Sequence, residues 1–243
     1  MALQMQWVGL AGWLMTQDDG PDIAMDPYEP QVVADACGVP DVDVFDFRIK
    51  ADTLLVSSLT DKAHSYVKAV NGNPNVINAL DVAQGKISPK INGEPMYAVQ
   101  AAEAPHHPEG PDDNALYAFK ADGLWFLHMG DLGYGIGPDE LSPFAGHCDV
   151  LLALVGEHLT LGLEELEPMI EFLNPTWILP MHYNQPPLSA GMTKVDAFLR
   201  LRSSDPVVHL RHHTATFPLP RLSHERPTIV VLEPSGYEPS ERY

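Results

Sequence analysis

Three places in the sequence set histidine or acid just beyond an apolar run. They are His106 with His107, His128 with Asp131 in "FLHMGDLG", and His182 in "WILPMHYN". Imidazole nitrogen and carboxylate oxygen are donors for a catalytic zinc ion, and neighbouring strand ends can converge them on one point. A fourth stretch of the same build, "LLVSSLTDKAHS" (Leu54–Ser65), follows its apolar run with Ser57, Ser58, Thr60 and Lys62 before His64 is reached. It is a shelf like the others but starts with hydroxyls and an ammonium. Each residue also has an ordinary reading. A histidine after a strand often serves the loop as a hydrogen-bonding group, and an Asp beside glycine is a common turn former. The order of the four stretches, more than any one residue, points to a site.

Other titratable groups carry less. Glu157 and His158 in "VGEHLTLG" offer an acid/base pair of types, and His128 is placed to orient Asp131 from behind. His209, His212 and His213 ("HLRHH") read as a surface strand that binds metal only adventitiously, while His147 and His224 carry no argument.

The elements that must position these residues alternate between hairpins and strand–helix units. Met5–Gly9 and Gly12–Met15 read as strands, "TQDDGPD" as a hairpin turn and "IAMDPY" as the returning strand. Glu29–Lys50 is a Pro- and Asp-rich excursion without clear period. Thr53–Val56 is a buried strand, "AHSYVKAVNGN" has helical spacing, and "PNVINALDVAQGK" onward reads as short strands and turns, with a hairpin at Asn92–Gly93. The second half repeats the grammar. Two strands flank Asp122–Gly123, "CDVLLALVG" and "TWILPMHY" are buried strands, and "TIVVLE" closes the chain. "GLEELEPMIEFLN" is an amphipathic helix with Leu163, Leu166, Ile170 and Leu173 on one face, and Pro168 is expected to kink it. "KVDAFLRLR" is a short helix. Hairpins first and strand–helix alternation afterwards, twice over, predict an α/β protein with two mixed sheets and helices outside. No linker interrupts the chain, so residues 1–243 read as a single domain.

Composition narrows the function classes. The chain has 243 residues, 45% of them hydrophobic, enough for a sizeable core. Its 33 acidic residues outnumber 14 basic ones, a formal charge of −19. Such a chain repels phosphate backbones, and the best basic stretch, Arg200–His213, holds three arginines. Nucleic acid is therefore not the expected partner; a small-molecule ligand, a protein partner or a second copy of the chain is. Two cysteines, Cys37 and Cys148, are too few for a disulfide framework. The opening "MALQMQWVGLAGWLM" lacks a basic region and is too short and glycine-broken to span a bilayer. A soluble, cytoplasmic protein is expected.

"HMGDLG", "CDVLLALVGEHLTLGLEEL" and "LNPTWILPMHYN" together resemble the second half of the metallo-β-lactamase superfamily, in particular its small-hydrolase branch of ascorbate-phosphate-lactonase-like proteins. "MQWVGLAGWLM" and "IAMDPYEP" are similar to that branch's opening strands and Asp-Pro turn. The resemblance runs from Met5 to Glu233 and is strongest over Asn114–Asn184. It implies an αβ/βα sandwich with the active site at the lip between two sheets. It also implies that Asp131 matches the bridging carboxylate, His182 the terminal histidine, and His106 or His107 the middle histidine. His158 would lie near the mouth.

The sequence departs from the family where the resemblance should be strongest. The family signature is His-x-His-x-Asp-His, at the position of "LLVSSLTDKAHS". One register puts Ser58 and Thr60 at the two histidines, Lys62 at the Asp and Ala63 at the last histidine. Shifting by one aligns His64 with the last histidine but leaves Leu59 and Asp61 at the first two. A catalytic zinc ion needs about three protein ligands, and an inward Lys62 would oppose a cation. The resulting expectation is a fold that kept its shelf and lost its metal: no cofactor, and a catalytically silent or ligand-binding descendant with Lys62, His64, His106, His107, His128, Asp131, His158 and His182 forming a binding network. The alternative is an atypical hydrolase of an ester, lactone or phosphodiester, using zinc or another divalent metal on His107, Asp131 and His182, with His64 as a further candidate.

Overall fold

A computed structural model of the chain describes residues 3–38, 49–60, 64–103, 113–158, 160–185 and 191–233. Alternation of large apolar side chains starts the first sheet. Met5 pairs with Met15 and Trp7 with Trp13 across an antiparallel hairpin of Gln4–Gly9 and Gly12–Thr16, and the two indoles stack with centroids 6.2 Å apart. Leu10 and Ala11 make the tight connection, with Leu10 in the left-handed region at φ 46°. Ile23–Met25 returns antiparallel to Gly12–Thr16, then Thr53–Val56 and Asn75–Asn78 add in parallel. Thr214–Thr216 closes the other edge beside Gln4–Gly9 and completes six strands.

The second sheet has seven strands and the same grammar. Tyr97–Ala102, Asp113–Ala121 and Leu124–His128 form an antiparallel meander. Val150–Leu154, Trp177–Met181, Thr228–Val231 and Val207–His209 follow in parallel. The central strands Val150–Leu154 and Trp177–Met181 are buried throughout. That is why they read as unbroken apolar runs and not as alternation. The expected architecture, two mixed sheets with hairpins leading and helices flanking, is the one found. One core joins the sheets: Trp7, Trp13 and Met15 from the first, with Tyr117, Phe119 and Phe126 from the second.

The helix Leu163–Leu173 buries Leu163, Leu166, Met169, Ile170 and Leu173, the expected face plus Met169. Removing one such side chain, as in Leu166→Ala, costs about 2–5 kcal/mol. Glu165 caps its start by accepting from Gly162 N at 3.0 Å, and Asn174 ends it in the left-handed region. The helix continues through Pro168, which has no N–H for the carbonyl of Glu164. Two helices depart from expectation. Pro30–Cys37 lies inside the excursion read as aperiodic, with Pro at its start and a left-handed Gly38 at its end. Ala79–Ala83 replaces part of a run read as strands, capped by the Asn78 side chain on Leu80 N. "AHSYVKAVNGN" forms only a single 3-10 turn, Val67–Ala69, before a short strand. Among the described residues no helix is long and apolar enough to cross a membrane.

Candidate metal centre

Asp131 and His182 lie just past the ends of Leu124–His128 and Trp177–Met181, and His64 eight residues past Thr53–Val56; the three meet. Each offers one donor atom, and these atoms lie within 4.8 Å of one another, all three residues being buried. His64 Nδ1 is 3.0 Å from Asp131 Oδ2, and His182 Nε2 is 3.7 Å from Asp131 Oδ1, so the carboxylate lies between two imidazoles. The imidazole rings are tilted against each other with centroids 5.3 Å apart.

Each ligand position is fixed by local backbone. His182 directly follows Trp177–Met181 and is left-handed at φ 55°, where its N–H donates to Leu10 O at 3.0 Å. Gly156 packs flat on that residue: a Cβ there would sit 1.9 Å from His182 O. A non-glycine residue in the left-handed region costs of order 1 kcal/mol, a strain typical of functional sites. Asp131 follows Leu124–His128 through Gly130, whose φ is 62° and whose Cβ position is blocked by Asn114 Oδ1 at 2.3 Å. Beyond it, Gly133 N donates to Ala102 O, and Gly135 N to Glu165 Oε1.

The surrounding groups keep Asp131 anionic. Burial alone would push Asp131 up, but the charges of His64 and His182, with hydrogen bonds from His64 and the Glu103 side chain, hold its carboxyl below its ordinary value. Asp131 Oδ1 accepts no hydrogen bond among the described residues. Two imidazole nitrogens and one carboxylate oxygen make a three-ligand catalytic zinc set. Donors bound at ~2.0–2.2 Å in a tetrahedron lie roughly 3.3–3.6 Å apart; here one donor from each residue lies within 4.8 Å of the others, so a modest inward movement would close the set on an ion. The residues fit a divalent ion.

The comparisons with known proteins agree. A family model described as a β-lactamase superfamily domain matches residues 4–182, most of the chain. The chain belongs to this superfamily. Among superfamily relatives, a UPF0173 metal-dependent hydrolase of Pyrococcus furiosus is 36% identical over 75 residues, 30% of this chain and 33% of the relative. A second, from Pelotomaculum thermopropionicum, is 35% identical over 72 residues, 30% of this chain and 31% of the relative. The chain thus spans about a third of the length of the curated relatives it matches. Among solved structures, a Thermotoga maritima protein of the metallo-β-lactamase superfamily superposes with TM-score 0.65 at 24% identity, over 95% of this chain and 99% of that one. A metallo hydrolase of Ignicoccus hospitalis superposes with TM-score 0.58 at 16% identity, over 96% of each chain. These two likenesses show the fold.

The expectation of no cofactor is therefore overturned. The relatives are named metal-dependent hydrolases, and His64, Asp131 and His182 form a group able to hold a divalent metal. The physical reason is that register counting treated each residue as if it projected from a regular strand. His64 lies beyond the strand Thr53–Val56 and still meets Asp131, Nδ1 to Oδ2 at 3.0 Å. Ser58 and Thr60, which one of the two registers sets at the box's first two positions, hydrogen-bond each other at 2.7 Å.

The other expected residues divide. Lys62, His106 and His107 lie outside the described residues. His128 is fully buried, and its ring contacts go to Ala11 O at 2.8 Å, Gly130 N at 2.9 Å and Asp26 Oδ2 at 3.3 Å. Burial pushes it down to about 3, so the ring is neutral and the contact with Asp26 is not an ion pair. His158 is exposed and packs against Gly191. Glu157 turns away to accept from Leu163 N at 3.3 Å, at a helix start. Sequence reasoning passed over Asp26, which is buried, left-handed at φ 40° and accepts from Ser57 N at 2.6 Å. The available signal was the one used elsewhere, an acid directly after a buried apolar run.

Proposed function

We propose that this chain is a metal-dependent hydrolase of an ester, lactone or phosphodiester, with one divalent ion held by His64, Asp131 and His182. The observation that carries the reading is the buried His-Asp-His cluster; the names of the superfamily relatives support it. A divalent ion there supplies a water of pKa near ~7 and polarises a substrate oxygen. The chain's own part is to keep Asp131 anionic between two imidazoles and to exclude bulk water from all three. His64 and His182 would each hold the ion through one unprotonated ring nitrogen, and Asp131 through a carboxylate oxygen. With Ser58 and Thr60 satisfying each other, the described residues leave no imidazole for a second ion beside Thr53–Val56, so the site is mononuclear on this reading.

The test is elemental analysis of protein dialysed against micromolar zinc, followed by turnover of ester, lactone and phosphodiester probes with and without chelator. About one metal per chain, lost in His182→Ala, with chelator-sensitive turnover, is the expected result. Folded parent protein that holds no metal sinks the proposal.

A further inference from the structure

A second acid reaches the candidate centre. Glu103 directly follows Tyr97–Ala102, the edge strand of the second sheet, and is half-buried. Its side chain hydrogen-bonds Asp131, the buried carboxylate that His64 and His182 flank. The approach is built into the backbone. Gly133, just past Asp131, donates its N–H to Ala102 O at 3.1 Å. It lies so close to the strand end that a Cβ there would meet Glu103 O at 1.5 Å. Only glycine fits that contact, so the Asp131 loop and the Glu103 backbone are clamped together. Two acids sharing one bond in a buried site repel each other unless a proton or a cation lies between them. An acid at a sheet edge usually turns to water. This one turns to a carboxylate that already faces two imidazoles.

We propose that Glu103 is a fourth protein ligand of the metal centre, so that the ion would be held by two imidazoles and two carboxylates. This deepens the hydrolase reading and rests on it for the ion. His64, Asp131 and His182 offer one donor each within 4.8 Å of one another, and Glu103 joins them at Asp131. Two carboxylates cancel the charge of a divalent ion, which lowers the cost of burying it. A carboxylate added to imidazoles also makes the donor set harder, which widens its choice from zinc toward manganese. The superfamily resemblance implies His106 or His107 as the middle ligand; on this proposal Glu103 takes that part.

The experiment compares parent, Glu103→Gln, Glu103→His and the double variant His106→Ala with His107→Ala, each first shown to be folded by near-ultraviolet circular dichroism. Gln keeps the size and a hydrogen bond to Asp131 but removes the charge; His offers a neutral nitrogen donor. Cobalt(II) affinity is measured by chelator competition, and the visible spectrum of bound cobalt reports its ligand set. The expected result is an affinity weaker by at least ~100-fold in Glu103→Gln, the upper end of what a merely supporting hydrogen bond loses, with a changed cobalt spectrum. Glu103→His should regain affinity and shift the preference between manganese and zinc toward zinc. Should Glu103→Gln fail to fold, the spectrum and metal preference of Glu103→His decide the same question. A parent-like cobalt spectrum in the Glu103 variants overturns the proposal. So does a loss of affinity that follows the double histidine variant while Glu103→Gln binds like the parent. Either result leaves the hydrolase reading standing, whereas parent protein that binds no cobalt overturns both.

Discussion

The two sheets deliver their ligands by different means. The second sheet places Asp131 three residues past Leu124–His128 and His182 one residue past Trp177–Met181, both strands buried in the core. The first sheet places His64 eight residues past Val56, at the end of a loop. A ligand close to a strand end inherits its position from the ladder. A ligand on a longer tether must be held by bonds of its own, here the contact to Asp131 and the anchoring of Ser57 on Asp26.

The largest expected effects fall on the second sheet. Asp131→Ala and His182→Ala should each reduce metal from about one per chain to near zero, read by elemental analysis. His64→Ala should weaken metal by a smaller, roughly 10–100-fold factor, since the tethered ligand is the less constrained one. Parent-like affinity in His64→Ala would break the comparison outright and leave the first sheet without a ligand among the described residues.

Next in size is Gly156→Ala. Its new Cβ meets His182 O at 1.9 Å, so backbone must shift. A destabilisation of about 2–4 kcal/mol in urea unfolding is expected, with weakened metal in the folded fraction. A neutral result would mean that His182 is not held by this packing.

A pH titration of stability in chelator sharpens the account of the buried His128 ring. Unfolded His128 takes up a proton below its ordinary 6.5, whereas burial holds the folded ring neutral down to about 3. The unfolded state therefore binds more protons in that window. Stability should be complete above 6.5 and fall by up to about 1.4 kcal/mol per pH unit on acidification. In His128→Phe that component of the slope should vanish; an unchanged slope would assign it elsewhere.

The smallest effect is expected at Ser58 and Thr60. Ser58→Ala with Thr60→Ala should leave metal content unchanged and shift stability by no more than about 1 kcal/mol, because the two hydroxyls chiefly satisfy each other. A tenfold loss of metal affinity would make them ligands after all.

Much of the fold was legible because its signals are local. The Met5/Trp7 and Trp13/Met15 alternation, the buried runs of Val150–Leu154 and Trp177–Met181, and the face of Leu163–Leu173 each follow from residue type and period. The helix Pro30–Cys37 was legible only by its punctuation, Pro at the start and Gly38 after the end, because its apolar stripe is short. Ala79–Ala83 is barely more than one turn, and its cap, Asn78, closes a strand as well. At the site, Asp131 and His182 could be named from strand ends. Asp26 could not be ranked, since nothing within "IAMDPY" tells of Ser57 or of the ring beside it.

By itself the sequence determined most of the core strands, that two mixed sheets form, and which chemistry waits at the ends of the second. Those outcomes depend on hydrophobic period and turn chemistry, which act over a few residues. Only the tertiary structure decided that His64 joins Asp131 and His182, that Asp26 takes the Ser57 N–H, and that the His128 ring bonds Gly130 N and Ala11 O. Such convergence depends on how a loop crosses from one sheet to the other, and on backbone N–H and C=O groups that every residue carries and no side-chain pattern reveals.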